Sequence, residues 1–231
     1  MASSTVEDYL KALYRLQQRA EGAVALGDVA REVGVTPGTA TVMVRRLGER
    51  GLVHYTSRSG ATLTEEGERA ALNVIRRHRL IELFLVEVVR LDWSEVHEEA
   101  EVLEHAVSDR LLARINRMLG EPTHDPHGDP IPTAEGEIVR RPVLDLTDCS
   151  LGSSTIARLG DNTPEFLRYA ESRGLTPGAS VEVTHRDAVG DTITLRVADG
   201  ETVKLGTAAG RKIYVLASQI SSESGRHAEG S

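Results

Sequence analysis

The 231-residue chain has little cysteine, few aromatic residues and no long apolar run. Its single cysteine, Cys149, excludes an internal disulfide and a cysteine-based zinc site, so histidines and carboxylates must supply most ligands of any metal. No stretch approaches the roughly 20 apolar residues that span a bilayer, which argues against a membrane protein. The N-terminus lacks a basic region followed by an apolar one, so we expect a cytoplasmic protein.

Basic residues are in the minority. The chain has 27 lysines and arginines against 35 aspartates and glutamates, for a net charge of −8. Residues 1–74 are neutral overall, with nine side chains of each sign, and the excess of acid lies in 75–141 and 142–231. Because phosphate contacts depend on lysine and arginine, a protein of this charge binds nucleic acid poorly without a compensating factor.

The first 74 residues have the pattern of a winged helix-turn-helix. Apolar spacing and end signals predict helices at about 4–19, 27–34 and 36–50, and a β-hairpin at 52–63. In the third helix we expect the following side chains to face inward: Val42, Val44 and Leu47.

The remainder divides into a helical part and a β part. Further helices are predicted at 65–89, from Asp92 or Ser94 to 106, and at 108–120, followed by a proline-rich, non-helical crossing at 121–132. Apolar residues on almost every face of 80–89 predict burial against a second subunit. Strands are predicted at 180–184, 192–197, 201–205 and 212–216, with a helix at 164–173. We therefore expect an α+β fold with domains 1–74, 75–141 and 142–218 and a disordered tail, 219–231.

The third helix and the hairpin carry candidate DNA contacts. Small hydroxyl residues at the start of a recognition helix contact phosphates or thymine methyl groups, and nearby arginines reach the DNA backbone. The predicted DNA-binding residues are Thr36, Pro37, Thr39, Thr41, Arg45, Arg46 and, at the wing tip, Arg58. The alternative is that Thr36 only caps its helix and the three helices form an interaction module.

A second constellation combines histidines with carboxylates. His78 and Glu82 are four residues apart on one predicted helix, and the next helix carries a similar set on one side: His97, Glu101, Glu104 and His105. Two such faces would make an oxygen-rich pocket with three imidazoles. The alternative is a set of surface ion pairs with the neighbouring arginines 76, 77 and 79. For His124 and His127, which lie in the crossing loop, the alternatives are the binding of a further ion and, as we expect, a role in the structure of the loop.

Three segments resemble one known family. They are Arg77-His-Arg-Leu-Ile-Glu82, His97-Glu-Glu-Ala-Glu-Val-Leu-Glu-His105 and Pro126-His-Gly-Asp-Pro-Ile-Pro132. Over residues 4 to about 218 the chain resembles the diphtheria toxin repressor family of iron- and manganese-activated regulators. The resemblance implies a winged helix-turn-helix, a helical dimerisation domain and an SH3-like β-barrel. It also implies a homodimeric repressor of metal-uptake genes that binds a palindromic double-stranded operator and has no catalytic activity.

The resemblance further implies two metal sites. One consists of Asp8, Glu101, Glu104 and His105, and an ancillary site consists of His78, Glu82 and His97, which the barrel domain completes in longer members. Ala157 and Gly160 stand where the iron branch has glutamate and glutamine, so Asp161 is the nearest oxygen ligand.

The ligand types favour manganese. Iron-sensing members carry methionine and cysteine where this chain has Asp8 and Glu101, and carboxylates favour Mn²⁺, with Fe²⁺ as the alternative. The short manganese regulators lack a barrel and carry glutamate in place of Lys11, so their two-metal geometry does not transfer whole. We expect the metal to fix two recognition helices about 34 Å apart, about one DNA turn. Two rival functions are a carboxylate-bridged metalloenzyme and a winged-helix regulator of an organic ligand.

Overall fold

The computed structural model describes residues 4–19 and 22–217, so the predicted disordered tail lies outside the described residues. The chain forms two compact units, Met1–Arg140 and Arg141–Ser231. The finer division into domains remains a prediction, and its boundary at residue 74 falls inside a continuous helix. No helix in the described part is both long enough and apolar enough to cross a membrane.

The first unit begins with three helices and a hairpin. They are α1 (Ser4–Arg19), α2 (Leu26–Val33), α3 (Pro37–Glu49), β1 (Val53–Thr56) and β2 (Gly60–Leu63). Gly34 ends α2 in the left-handed conformation, at φ 74°, and the Thr36 hydroxyl accepts a hydrogen bond from the Thr39 backbone N–H to cap α3. The antiparallel strands β1 and β2 form the predicted wing.

The predicted inward orientation of Val42 in α3 is wrong. Ala40, Val44 and Leu47 are fully buried and define the inner face of α3. Val42 is 53% exposed instead of facing inward. At about 100° per residue, position 42 points about 160° away from the direction of position 44. The β-branched side chain therefore lies on the outer surface of α3.

Three more helices follow: α4 (Glu65–Phe84), α5 (Val96–Leu103) and α6 (Asp109–Met118). Thr64 and Ser108 cap α4 and α6 as predicted, by accepting hydrogen bonds from Gly67 and Leu111. The α-helical part of α4 is shorter than expected, because a π-helical turn (Leu85–Val89) replaces its last residues.

Helix α5 is also shorter than predicted. The Asp92 carboxylate accepts hydrogen bonds from both the backbone N–H and the hydroxyl of Ser94, and this local turn delays the helix start to Val96. Because α5 ends at Leu103, Glu104 and His105 lie on the turn that follows it. The segment 121–132 is non-helical, as expected.

The second unit is a six-stranded antiparallel sheet with two short helices. Its strand order is β3-β8-β4-β5-β6-β7, from β3 (Val143–Asp145), β4 (Gly152–Leu159), β5 (Ser180–Asp187), β6 (Thr192–Val197), β7 (Thr202–Gly206) and β8 (Ile213–Leu216). The helices are α7 (Pro164–Glu171) and α8 (Thr207–Gly210). The four predicted strands are present, and alternate residues of β5, β6 and β7 are buried. The structure confirms the α+β class.

Candidate metal centre and DNA-binding surface

Three groups of histidine and carboxylate side chains converge in the first unit. In each group one ligand-type atom per residue lies within 4.8 Å of the others. The first cluster is Asp8, Glu104 and His105; the second is His78, His97 and Glu101; the third is Glu82, Asp125 and His127. Helices α1, α4 and α5, the turn after α5 and the crossing loop supply these residues.

The first cluster joins α1 to the turn after α5. His105 Nε2 lies 3.0 Å from Asp8 Oδ1 and 3.5 Å from Glu104 Oε1. His105 Nδ1 is hydrogen-bonded to Glu7 Oε2 at 2.7 Å. Burial lowers the pKa of His105, but the Glu7 hydrogen bond and the charges of Glu104 and Asp8 outweigh burial and raise it. Sequence reasoning missed this role of Glu7, because its helical spacing carries no signal for a partner 98 residues away.

The second cluster centres on His78. Its Nε2 lies 2.9 Å from Glu82 Oε1 and 3.1 Å from His97 Nδ1, and its Nδ1 is hydrogen-bonded to Glu104 Oε2 at 2.6 Å. His97 Nε2 lies 3.6 Å from Glu101 Oε1. Burial lowers the pKa of His78, but hydrogen bonds to Glu104 and Glu82 outweigh it and raise the pKa to about 9. Glu104 thus links the first and second clusters.

A buried lysine pairs with two of these carboxylates. Lys11 Nζ donates to Glu101 Oε2 at 2.8 Å and to Glu104 Oε1 at 2.6 Å, and the residue is 4% exposed. Burial raises the pKa of Glu101, but the charge and hydrogen bond of Lys11 outweigh burial and lower it. The ammonium group therefore supplies positive charge inside the metal centre.

The third cluster connects α4 to the crossing loop. Asp125 Oδ1 accepts hydrogen bonds from the backbone N–H groups of His127 and Asp129, both at 2.9 Å. His127 Nε2 is hydrogen-bonded to the Trp93 carbonyl at 2.9 Å, and its ring stacks on the indole. Burial and the charges of Asp129 and Glu82 raise the pKa of Asp125 well above its usual value. These contacts tie the crossing loop to Trp93, which precedes α5.

The structure brings seven of the eight predicted metal ligands together. It places Glu101 beside His78 and His97, whereas the predicted grouping combined it with Asp8, Glu104 and His105. The eighth residue, Asp161, lies in the second unit, where it accepts hydrogen bonds from Lys212 Nζ at 2.5 Å and from the Thr163 N–H at 2.9 Å. The assignment of each residue as a ligand remains a prediction.

The donor chemistry of the clusters fits a divalent cation. Each cluster offers at least one carboxylate oxygen and one imidazole nitrogen, and none of the three contains sulfur. Among the described residues, Lys11 is the one lysine that forms ion pairs in the clusters, and it pairs with Glu101 and Glu104. Five carboxylates converge in the clusters, namely Asp8, Glu82, Glu101, Glu104 and Asp125. Carboxylate oxygens and imidazole nitrogens are common ligands of divalent metal ions, so the donor set fits this class of ion.

The candidate DNA-binding residues occupy the outer side of α3 and the wing. Pro37, Thr39, Arg45 and Arg46 are exposed on α3, and Arg58 is exposed between β1 and β2. Thr36 is exposed and caps α3, so the capping role is observed and its DNA contact remains a prediction. Thr41 donates its hydroxyl to the Pro37 carbonyl at 2.8 Å. Val42 is also exposed on this side of α3, although the sequence analysis assigned it to the core.

Comparison with known families agrees with the arrangement of the chain. Residues 1–61 match the iron dependent repressor N-terminal DNA binding domain, and residues 64–133 match the iron dependent repressor metal binding and dimerisation domain. Residues 144–217 match the FeoA domain, and the sheet of the second unit is consistent with the predicted SH3-like fold. The three matches together span most of the chain.

Individual relatives are similar over nearly their whole length. The iron-dependent repressor IdeR of Mycobacterium bovis is 31% identical over 205 residues, which cover 83% of this chain and 88% of the relative. A solved manganese-dependent transcriptional repressor in complex with manganese is 44% identical, with a TM-score of 0.84 over 92% of this chain and 99% of that one. The manganese regulator SloR is 32% identical, with a TM-score of 0.73 over 94% of this chain and 100% of that one.

These matches decide between the classes of function. The DNA-binding and dimerisation domains support DNA and a second copy of the chain as partners. The family consists of transcriptional repressors and not of enzymes, so the metalloenzyme alternative is wrong. A match to a metal binding domain likewise favours a metal over an organic effector. The chain belongs to the iron dependent repressor family and is a metal-dependent, DNA-binding transcriptional repressor.

Proposed function

We propose that this repressor is activated by Mn²⁺ and controls genes of metal-ion uptake. The observation that carries the proposal is the donor set, in which Asp8 and Glu101 provide oxygen and no cluster contains sulfur. Hard carboxylate ligands suit Mn²⁺, and thiolate or thioether ligands suit softer ions. The similarity to a manganese-dependent repressor supports the same choice. Fe²⁺ is the second candidate, since IdeR is named as an iron-dependent repressor.

The metal would be held by the first and second clusters. A divalent cation there supplies positive charge that offsets the converging carboxylates. Asp8 lies on α1, which packs in the same core as α2 and α3, whereas Glu104 and His105 follow α5. Holding these residues together fixes α1, and with it the DNA-binding helices, relative to α4 and α5.

The proposed target is a palindromic operator bound by a homodimer in the cytoplasm. Two copies of α3 would enter successive major grooves about 34 Å apart, and Arg58 of each wing would contact the adjacent backbone. The exposed face of α3 offers Thr39 and Val42 for base edges and thymine methyl groups, and Arg45 and Arg46 for phosphates.

The test compares metals and DNA in one series. Duplexes selected by the Mn²⁺-loaded protein from a random library should be inverted repeats, and operator binding should be titrated with Mn²⁺ and with anaerobic Fe²⁺. Glu101→Cys should move the response towards iron. Glu98→Cys, an exposed glutamate of the same helix, is the matched control and should respond as the wild type. If Glu101→Cys keeps the wild-type preference for Mn²⁺, the ligand assignment at this position is wrong.

A further inference from the structure

Two consecutive residues of α1 hold the His105 ring from both of its nitrogens. Nδ1 of His105 lies 2.7 Å from Glu7 Oε2, and Nε2 lies 3.0 Å from Asp8 Oδ1. Asp8 belongs to the first cluster together with Glu104 and His105, whereas Glu7 does not. Glu7 therefore reaches the imidazole through the nitrogen that the cluster does not use.

The contact with Glu7 decides which nitrogen of His105 is available to a metal. An ionised carboxylate only accepts hydrogen bonds, so the 2.7 Å contact places a proton on Nδ1. The neutral ring then carries its lone pair on Nε2, which faces Asp8 Oδ1 at 3.0 Å and Glu104 Oε1 at 3.5 Å. Metal-ligating histidines are commonly oriented in this way, with the second nitrogen donating to a carboxylate or a backbone carbonyl.

Arg77 of α4 in turn holds Glu7. Its Nη1 donates to Glu7 Oε1 at 3.3 Å, and its Nη2 donates to Asp109 Oδ1 at 2.9 Å. The Glu7 and Arg77 side chains are 13% and 20% exposed, so both are shielded from most of the competing water. One oxygen of Glu7 thus accepts from the guanidinium and the other from the imidazole. Because a guanidinium only donates, the side chain at position 7 must present an acceptor to Arg77.

We propose that Glu7 and Arg77 are positioning residues of the metal centre, in which Glu7 fixes the His105 ring with Nε2 towards the metal and Arg77 fixes Glu7. Neither residue is proposed as a ligand. Loss of a supporting contact of this kind lowers metal affinity about 10- to 100-fold. The inference rests on the proposed metal centre, with His105 as a ligand, and is independent of the choice between Mn²⁺ and Fe²⁺.

Glu7→Gln separates this role from packing, because an amide has one acceptor and one donor group in place of two acceptors. Arg77 would take the amide oxygen, so the amide NH₂ group would face His105 Nδ1. That donor requires an unprotonated Nδ1, which moves the proton of the neutral ring to Nε2 and blocks coordination there. In Glu7→Gln/Arg77→Met the amide is free to turn, and its oxygen can accept from Nδ1 again. The second substitution should therefore restore part of the metal affinity that the first removes.

The experiment measures metal affinity and the position of the proton in the full-length protein. Equilibrium dialysis gives the Mn²⁺ affinity of the wild type, of the two Glu7 variants and of His105→Ala. NMR spectra of protein with isotope-labelled histidines, loaded with diamagnetic Zn²⁺, show whether Nδ1 of His105 carries a proton, and His105→Ala assigns the signal. Glu65→Gln and Glu65→Gln/Arg69→Met are the matched controls, because Glu65 and Arg69 form an exposed pair on α4.

We expect Mn²⁺ affinity to be about 10- to 100-fold lower in Glu7→Gln than in the wild type, with a smaller loss in Glu7→Gln/Arg77→Met and no change in the controls. The signal of the Nδ1 proton should be present in the Zn²⁺-loaded wild type and absent in Glu7→Gln. An unchanged affinity or an unchanged proton signal in Glu7→Gln overturns the proposal. A double variant that binds Mn²⁺ no better than Glu7→Gln overturns the role of Arg77.

Two further outcomes separate this inference from the proposed function. If His105→Ala binds Mn²⁺ as tightly as the wild type, His105 is not a ligand, and the proposed metal centre fails together with the positioning role. If His105→Ala loses Mn²⁺ binding but Glu7→Gln keeps the wild-type affinity, the positioning role alone is wrong. Should Glu7→Gln fail to fold, Arg77→Met decides, since it should weaken Mn²⁺ binding by releasing Glu7, and an unchanged affinity would refute the proposal.

Discussion

Lys11 provides a sharp test of the electrostatics of the metal centre. Replacement by methionine keeps a long side chain in the buried space but removes the ammonium group that Glu101 and Glu104 share. Removing one partner of a buried ion pair costs about 3 to 5 kcal/mol, because the other charge stays buried without compensation. Glu104 is fully buried, but the Glu101 side chain is 35% exposed and keeps some hydration, so we expect a loss of about 3 kcal/mol.

This loss converts into a measurable change in melting temperature. For a protein of this size, 1 kcal/mol corresponds to about 2 to 4 °C, so metal-free Lys11→Met should melt about 6 to 12 °C below the wild type. Mn²⁺ should recover part of the loss, because the freed carboxylates bind a cation more tightly and a ligand at 100 times its Kd adds about 2.7 kcal/mol. The increase in melting temperature on adding Mn²⁺ should therefore be larger in Lys11→Met than in the wild type.

Calorimetry in chelator and in saturating Mn²⁺ measures both effects. Arg69→Met is the control, since Arg69 forms an exposed pair with Glu65 on α4 at 2.9 Å, a kind of pair that contributes about 0 to 1 kcal/mol. If metal-free Lys11→Met melts like this control, the two buried carboxylates do not depend on Lys11. If Mn²⁺ raises the melting temperature of the variant and the wild type equally, Lys11 does not compete with the ion for Glu101 and Glu104.

Three further predictions concern DNA, assembly and pH. Arg58→Ala should weaken binding to operator and random DNA alike and should reduce the slope of log K against log salt concentration by about one. Val42→Ala should lose more affinity for the operator than for random DNA, and equal losses on both DNAs would contradict the role of α3. The metal-free protein should sediment as a dimer, because Val88 and Val89 are 46% and 48% exposed on the single chain, and a metal-driven change from monomer to dimer would refute this. In metal-free protein the pKa of His78 is raised from 6.5 to about 9, so the stability contributed by the protonated ring is complete below pH 6.5 and is lost as the pH rises through 9. A melting temperature in chelator that does not change over this pH range would contradict the pairing of His78 with Glu82 and Glu104.

Local chemistry accounts for most of the elements that the sequence predicted. The capping hydroxyls of Thr36, Thr64 and Ser108 act on backbone N–H groups three residues away, so they are visible in a short window. Strand β6 has the predicted bounds, Thr192–Val197, because alternating apolar residues depend only on the two-residue repeat of a strand. Residue types and their spacing along the helices similarly predicted a cluster of histidines and carboxylates without sulfur.

The grouping of those side chains was decided by the tertiary structure. Glu7 meets His105 across 98 positions, and Lys11 meets Glu104 across 93, and no periodicity in a single helix predicts such pairs. The Asp92 turn precedes the start of α5 at Val96, and the end of α5 at Leu103 places Glu104 and His105 on the turn that follows the helix. The sequence by itself determined which ligand chemistry was present. Only the packing of α1, α4, α5 and the crossing loop decided which atoms meet, because helix spacing constrains positions along one element and leaves the distances between elements open.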